Sequence, residues 1–89
     1  MKFEWDDTKA VSNFGKHDVS FQEASTVFGD PFAGTFPDPD HSQGEERWLT
    51  VGLSVKGRLL VVAHTEHDVT FRIISARVAT THERSSYEQ

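Results

Sequence analysis

Eighty-nine residues with no cysteine and a net charge of −5 set narrow limits. A chain this short folds as one domain and buries only about 60–65% of its unfolded surface, too little to wall a large catalytic cleft, and without thiols it has no disulfides, thiolate catalysis or most structural zinc sites. The N-terminal residues 1–9 carry charge where a signal peptide needs an apolar run, and no segment approaches the roughly 20 apolar residues of a membrane span, so the expectation is a cytoplasmic protein without a membrane role.

The charge is unevenly placed. Residues 1–46 hold three lysines against ten acidic groups, whereas residues 47–89 hold six Lys and Arg against four. Five of those six are arginine, whose planar fork suits phosphate in a way that lysine does not. A solvated surface of mixed charge gives the same count.

The elements follow in chain order. Lys2-Phe3-Glu4-Trp5 alternates polar and apolar, predicting a short strand with Phe3 and Trp5 inward. Asp6 is a fit N-cap for a helix to about Phe14, with Ala10, Val11 and Phe14 as its buried stripe and Gly15 at the left-handed C-terminal position. Ser20 and Glu23 stand at capping-box spacing, opening a second helix over 20–28 that buries Phe21, Ala24, Val27 and Phe28 and ends at Gly29 and Pro31. Residues 29–46 contain all three prolines and read as a loop with one edge strand near Phe32 to Phe36. Three strand patterns begin at residues 47, 58 and 69, with turns at Lys56-Gly57 and at 66–68, which makes an antiparallel meander. A polar helix anchored by Tyr87 closes the chain over 79–88. The expected fold is therefore α+β: one domain over residues 1–89, a small antiparallel sheet with two helices on one face, and a C-terminal helix. The second face is left free to work.

The segments Phe3-Glu4-Trp5-Asp6, 13–31, 45–54 and 72–88, taken together, resemble the BrnT toxins of bacterial type II toxin-antitoxin systems over nearly the whole chain. The specific part is the pairing of the Lys16-His17-x-Val19-Ser20-Phe21 run with Arg72-Ile73-Ile74-Ser75-Ala76-Arg77. This resemblance implies a RelE-like fold, a ribonuclease activity that arrests translation, and neutralisation by a BrnA-type antitoxin carrying a DNA-binding domain, so that any DNA operator is reached through the antitoxin in a hetero-oligomer. One position departs from the family pattern. Where members commonly show Thr-Glu-Arg, this chain has Thr65-Glu66-His67, so His67 either replaces the arginine as a proton donor or marks a weakened enzyme.

RNA cleavage without a metal needs cations for the phosphorane and groups that move protons, which directs attention to four residues. Arg77 closes the last strand and is the first choice for the scissile phosphate; its plainer role is to pair with Glu83 or cap the closing helix. Arg72 lies five residues earlier, so strict alternation sends the two to opposite faces unless a bulge intervenes. His67 is the proton shuttle, or simply a turn histidine beside Asp68. Glu46 is a base or an orienting carboxylate.

Substrate contacts are expected from Arg47, from Trp48 by stacking, and from Lys16, His17 and Tyr87; a core tryptophan and a solvated helix end are the bland alternatives. His64 and His67 fall on different faces, which argues against a His-x-x-His metal site. Asp38, Asp40 and His41 sit in what reads as a mobile loop and are discounted as ligands. No cofactor and no metal are expected.

Overall fold

The computed structural model describes residues 1–38, 40–41 and 44–88; Pro39, Ser42 and Gln43 of the proline-rich loop, and Gln89, lie outside the described residues. The elements are β1 (Lys2–Glu4), α1 (Asp7–His17), α2 (Phe21–Thr26) continued by a 3-10 turn (Val27–Gly29), β2 (Gly34–Pro37), β3 (Trp48–Leu53), β4 (Leu59–His67), β5 (Thr70–Val78) and α3 (Thr81–Tyr87). The sheet runs β1-β5-β4-β3-β2. β3 to β5 form the expected three-strand antiparallel meander, β2 extends it as the edge strand, and β1 adds a parallel edge beside β5 that makes the sheet mixed.

α1 departs from its predicted stripe. Asp6 caps it by accepting from Lys9 N at 3.1 Å, but the helix passes through Gly15 and stops at Asp18, which takes the left-handed conformation (φ 57) and donates its N–H to Phe14 O. The buried residue is Asn13, while Val11 is 75% and Phe14 52% exposed. The reason lies in the sheet edge. β1 ends at Glu4, so β5 has no neighbouring strand at Ala76, and the Asn13 carboxamide takes its place: Oδ1 accepts from Ala76 N, and Nδ2 donates to Ala76 O and Val19 O. A buried backbone pair is thereby satisfied by one side chain.

α2 starts as predicted, with Ser20 Oγ accepting from Glu23 N at 3.0 Å. The Glu23 side chain goes elsewhere. Its carboxylate, 1% exposed, accepts from Ser54 Oγ at 2.7 Å and from Arg58 through both Nε and a terminal nitrogen, and Arg58 also donates to Asp18 O. That cluster ties α2 to the β3–β4 hairpin, whose turn uses Gly57 at φ 78.

The main core lies between the helices and one sheet face. It comprises Val19, Phe21, Ala24, Val27, Leu60, Val62, Ile73 and Ala76, with Phe3, Trp5, Ala10 and Phe28 packed against it. Gly52 permits the close approach of the 3-10 turn: a Cβ there would fall 2.9 Å from both Val27 and Ala33. β4 is buried without interruption from Leu59 to Thr65, which requires cover on both faces. The second cover is α3, so the other face is only half open, contrary to the expectation of a free face.

Candidate functional site

Cross-strand partners share a face, which sorts the side chains. Trp48, Thr50, Gly52, Leu60, Val62, His64, Ile73 and Ala76 point toward α1 and α2. On the other side lie Leu49, Val51, Val61, Ala63, Thr65 and His67, with Lys2 and Glu4 from β1.

The position of Arg72 and Arg77 is settled by a break in register. Ala63 pairs with Ser75 and His64 with Ile73, so Ile74 has no partner on β4. One extra residue in β5 reverses the alternation beyond it. Arg72 therefore pairs with Thr65 and Arg77 with Val61, and because Thr65 and Val61 are four residues apart on an unbroken strand, both arginines emerge on the same face. The expectation of opposite faces is corrected: the five-residue spacing spans a bulge. Strand rise places them roughly 13–16 Å apart. His67 pairs with Thr70 one row beyond Arg72, and Lys2 is the register partner of Thr70. Lys2, Arg72 and the His67 imidazole, from three strands, thus share one corner of this face, with Ser75, Thr65 and Thr70 supplying hydroxyls.

Sharing a face is not the same as sharing a pocket. Arg72 Nη1 lies 3.4 Å from Glu4 Oε1, the register partner on β1. His67, 88% exposed, stands 3.9 Å from Asp68. Arg77 donates through both terminal nitrogens to the two oxygens of Glu83, at 2.8 and 2.9 Å, a fork-on-fork pair. Hydrogen bonding to Arg77 holds the Glu83 carboxyl down at about 2, aided by the N–H of Thr80, and Glu83 in turn raises the Arg77 guanidinium.

Away from this corner, at the Arg77–Glu83 end of the same face, lies a groove of about 420 Å³ between α3 and β2–β3. Its floor is Leu49, Val51 and Val61, and its walls include Phe32, Phe36, His82 and Tyr87. α3 buries none of its residues. It is fixed instead by the reciprocal Thr80–Glu83 capping box, by Arg77, and by the Tyr87 hydroxyl, which donates to Asp30. Asp30 also accepts from Leu53 N, and these bonds lower its carboxyl pKa.

The remaining sequence candidates are dispersed. Glu46 is exposed in the segment that leads into β3, at the His67 end of the sheet given the Trp48–His64 register. Arg47 prolongs the β2–β3 pairing, its carbonyl accepting from Asp38 N at 2.8 Å. Trp48 is half-buried on the helix side, and Lys16 and His17 end α1, which packs on that side too. These three are separated by the sheet from the two arginines.

His64 is fully buried in a cage of Phe28 and Phe71 rings, with Nε2 2.7 Å from Thr50 Oγ1, which in turn bonds Thr35 Oγ1. Burial lowers its pKa to about 4. Asp38 meets His41 at 3.1 Å, and among the described residues no group of His, Asp and Glu is arranged to hold a metal.

Sequence reasoning missed Lys2 and Glu4, because nothing local tells that the first strand lies parallel to the last. It also left the bulge as a condition. The signal was present: Phe71-Arg72-Ile73-Ile74-Ser75-Ala76-Arg77 alternates on either side of a doubled isoleucine.

Comparison with known proteins adds the family. The family described as "ribonuclease toxin, BrnT, of type II toxin-antitoxin system" matches residues 5–83. Among solved structures the chain is similar to the Brucella abortus ribonuclease toxin BrnT, with a TM-score of 0.71 and 23% identity over 91% of this chain and 99% of that one. At that identity the likeness concerns the fold. No curated protein sequence matches. The family match spans most of the chain, and the chain belongs to the BrnT family of ribonuclease toxins of type II toxin-antitoxin systems.

Proposed function

We propose that the protein is an endoribonuclease that lays RNA over the open half of its sheet and cleaves it without a metal. In this reading the 2′-hydroxyl loses its proton and attacks the adjacent phosphorus in line, and the 5′-oxygen leaves with a proton, giving a 2′,3′-cyclic phosphate. Arg77 stabilises the charge that grows on the phosphorane, and Arg72, roughly 13–16 Å away along the strand, holds a neighbouring phosphate of the RNA. His67 transfers a proton through its imidazole, which has one nitrogen to give a proton and one to take it, and Glu46, at the same end of the sheet, takes one or orients Arg47. Tyr87 and Arg47 border the RNA path; Trp48, Lys16 and His17 have no place in it.

The observation that carries this reading is the bulge at Ile74, which turns two arginines of one strand toward the same side as His67. The neutralising partner is a BrnA-type antitoxin, supported by membership of a type II family, and DNA is contacted only through it. The site of action is the cytoplasm; no helix among the described residues is long and apolar enough to cross a membrane.

Expression without antitoxin should arrest growth, and the purified protein should cut RNA in EDTA. Failure to cut RNA in either condition ends this reading. A second reading is favoured by one observation: Arg72, Arg77 and His67 each already stand beside a carboxylate. On that reading the protein is a binding module with negligible catalysis, acting within an antitoxin complex on DNA, and cells expressing it alone would grow.

A further inference from the structure

Resting on the ribonuclease reading, we propose that α3 is an autoinhibitory latch: Glu83 occupies the guanidinium fork of Arg77 that an RNA phosphate would take, so α3 docking and RNA engagement exclude one another. A carboxylate and a phosphate present the same pair of oxygens to arginine, and Glu83 already fills both terminal nitrogens at 2.8 and 2.9 Å. The second phosphate-binding candidate on this face, Arg72, has a looser single contact to Glu4 at 3.4 Å.

The seating of α3 is that of a removable part. Seven residues are too few for a self-sustaining helix, and none is buried. Beneath it lies an apolar groove that its side chains line without filling. What holds it is polar and sits at its two ends: Glu83 on Arg77 in the first turn, and the Tyr87 hydroxyl on Asp30 in the last. Ala79 and Thr80 lie between the strand and the helix; Ala79 N still bonds to Leu59 O and Thr80 is exposed, so α3 can swing about Thr80 without disturbing the main core. By linkage, anything that takes Arg77 from Glu83 loosens α3, and anything that loosens α3 frees Arg77.

The test uses the full chain and a single-stranded 2′-deoxy oligonucleotide, which lacks the attacking hydroxyl and so reports binding apart from cleavage. Glu83→Gln keeps the side chain's length and its hydrogen bond to Thr80 but removes the charge that holds Arg77. Tyr87→Phe removes the hydroxyl's tie to Asp30 and keeps the ring that borders the RNA path. Both variants should bind the oligonucleotide at least about fivefold more tightly than the natural protein, and oligonucleotide should speed hydrogen exchange at the amides of 82–88 in the natural protein.

Weaker binding by Glu83→Gln would make Glu83 a positioning residue and overturn the latch. Tighter binding by Glu83→Gln with none by Tyr87→Phe would reduce the effect to charge and overturn it too, as would unchanged exchange in α3 or no binding by any form. A natural protein that binds the oligonucleotide yet leaves RNA uncut contradicts the ribonuclease reading while leaving the latch standing.

Discussion

Two arginine–glutamate forks sit in this small protein in opposite surroundings. Arg58 and Glu23 meet under α2, where the carboxylate is 1% exposed and also holds Ser54; both lie on the covered side of the sheet, and Arg58 further binds the Asp18 carbonyl. Arg77 and Glu83 meet on the open side, where the side chains are 40% and 28% exposed and no residue of the helix carrying Glu83 is itself buried. The first pair joins three elements around a core and buries its carboxylate, although the Arg58 side chain itself is 31% exposed. The second joins a strand to a marginal helix beside a groove. Chemistry is shared, and context decides which pair is structural and which can exchange its carboxylate for a phosphate.

The largest expected effect separates the two forks. Arg77→Ala should lower RNA cleavage by at least about 100-fold, the usual loss when one donor to a developing oxyanion is removed, while urea unfolding changes by less than about 1 kcal/mol, as for a partly exposed pair. An unfolded variant would make Arg77 structural like Arg58. Glu23→Ala should show the inverse: a loss of about 2–3 kcal/mol in urea unfolding, somewhat below the range for a fully buried pair, with cleavage per folded molecule retained.

The next effect belongs to the covered side and to pH. His64 has an ordinary pKa of 6.5 when unfolded and about 4 in the fold. The unfolded chain therefore binds the proton more readily, and this contribution to stability is complete above pH 6.5 and lost as pH falls from there toward 4. The slope is up to about 1.4 kcal/mol per pH unit. Replacing His64 by Phe should flatten that part of the stability profile; an unchanged slope would assign it to other groups. The smallest effect is at the other open-side pair, where Glu4→Gln should cost under about 1 kcal/mol and should tighten oligonucleotide binding through Arg72.

Much of the fold was legible because local chemistry and tertiary need agree. The Ser20 cap, the closing helix, the edge strand in the proline-rich stretch and the three-strand meander stand near where spacing and composition put them. The failures have specific causes. A polar residue, Asn13, won the buried position on α1 because β5 had an unsatisfied backbone pair at Ala76, a demand invisible to helical periodicity. The continuous apolar run of β4 carried the message that both faces are covered, and a polar C-terminal helix disguised it. The functional candidates were less legible still. Which residues share a face depends on one unpaired residue, Ile74, and on a parallel edge formed by the chain's first residues. Lys16, His17 and Trp48 lie in the sequence stretches that resemble the family, yet sit on the helix side.

The central claim is that RNA meets the open half of the sheet, and it is tested most directly by mapping amide and guanidinium shifts in the NMR spectrum as the 2′-deoxy oligonucleotide is added. The account predicts changes at Thr65, His67, Arg72, Arg77 and along α3, with Lys16, His17 and Trp48 silent. Changes confined to α1 and Trp48, with Arg72 and Arg77 unmoved, would contradict it.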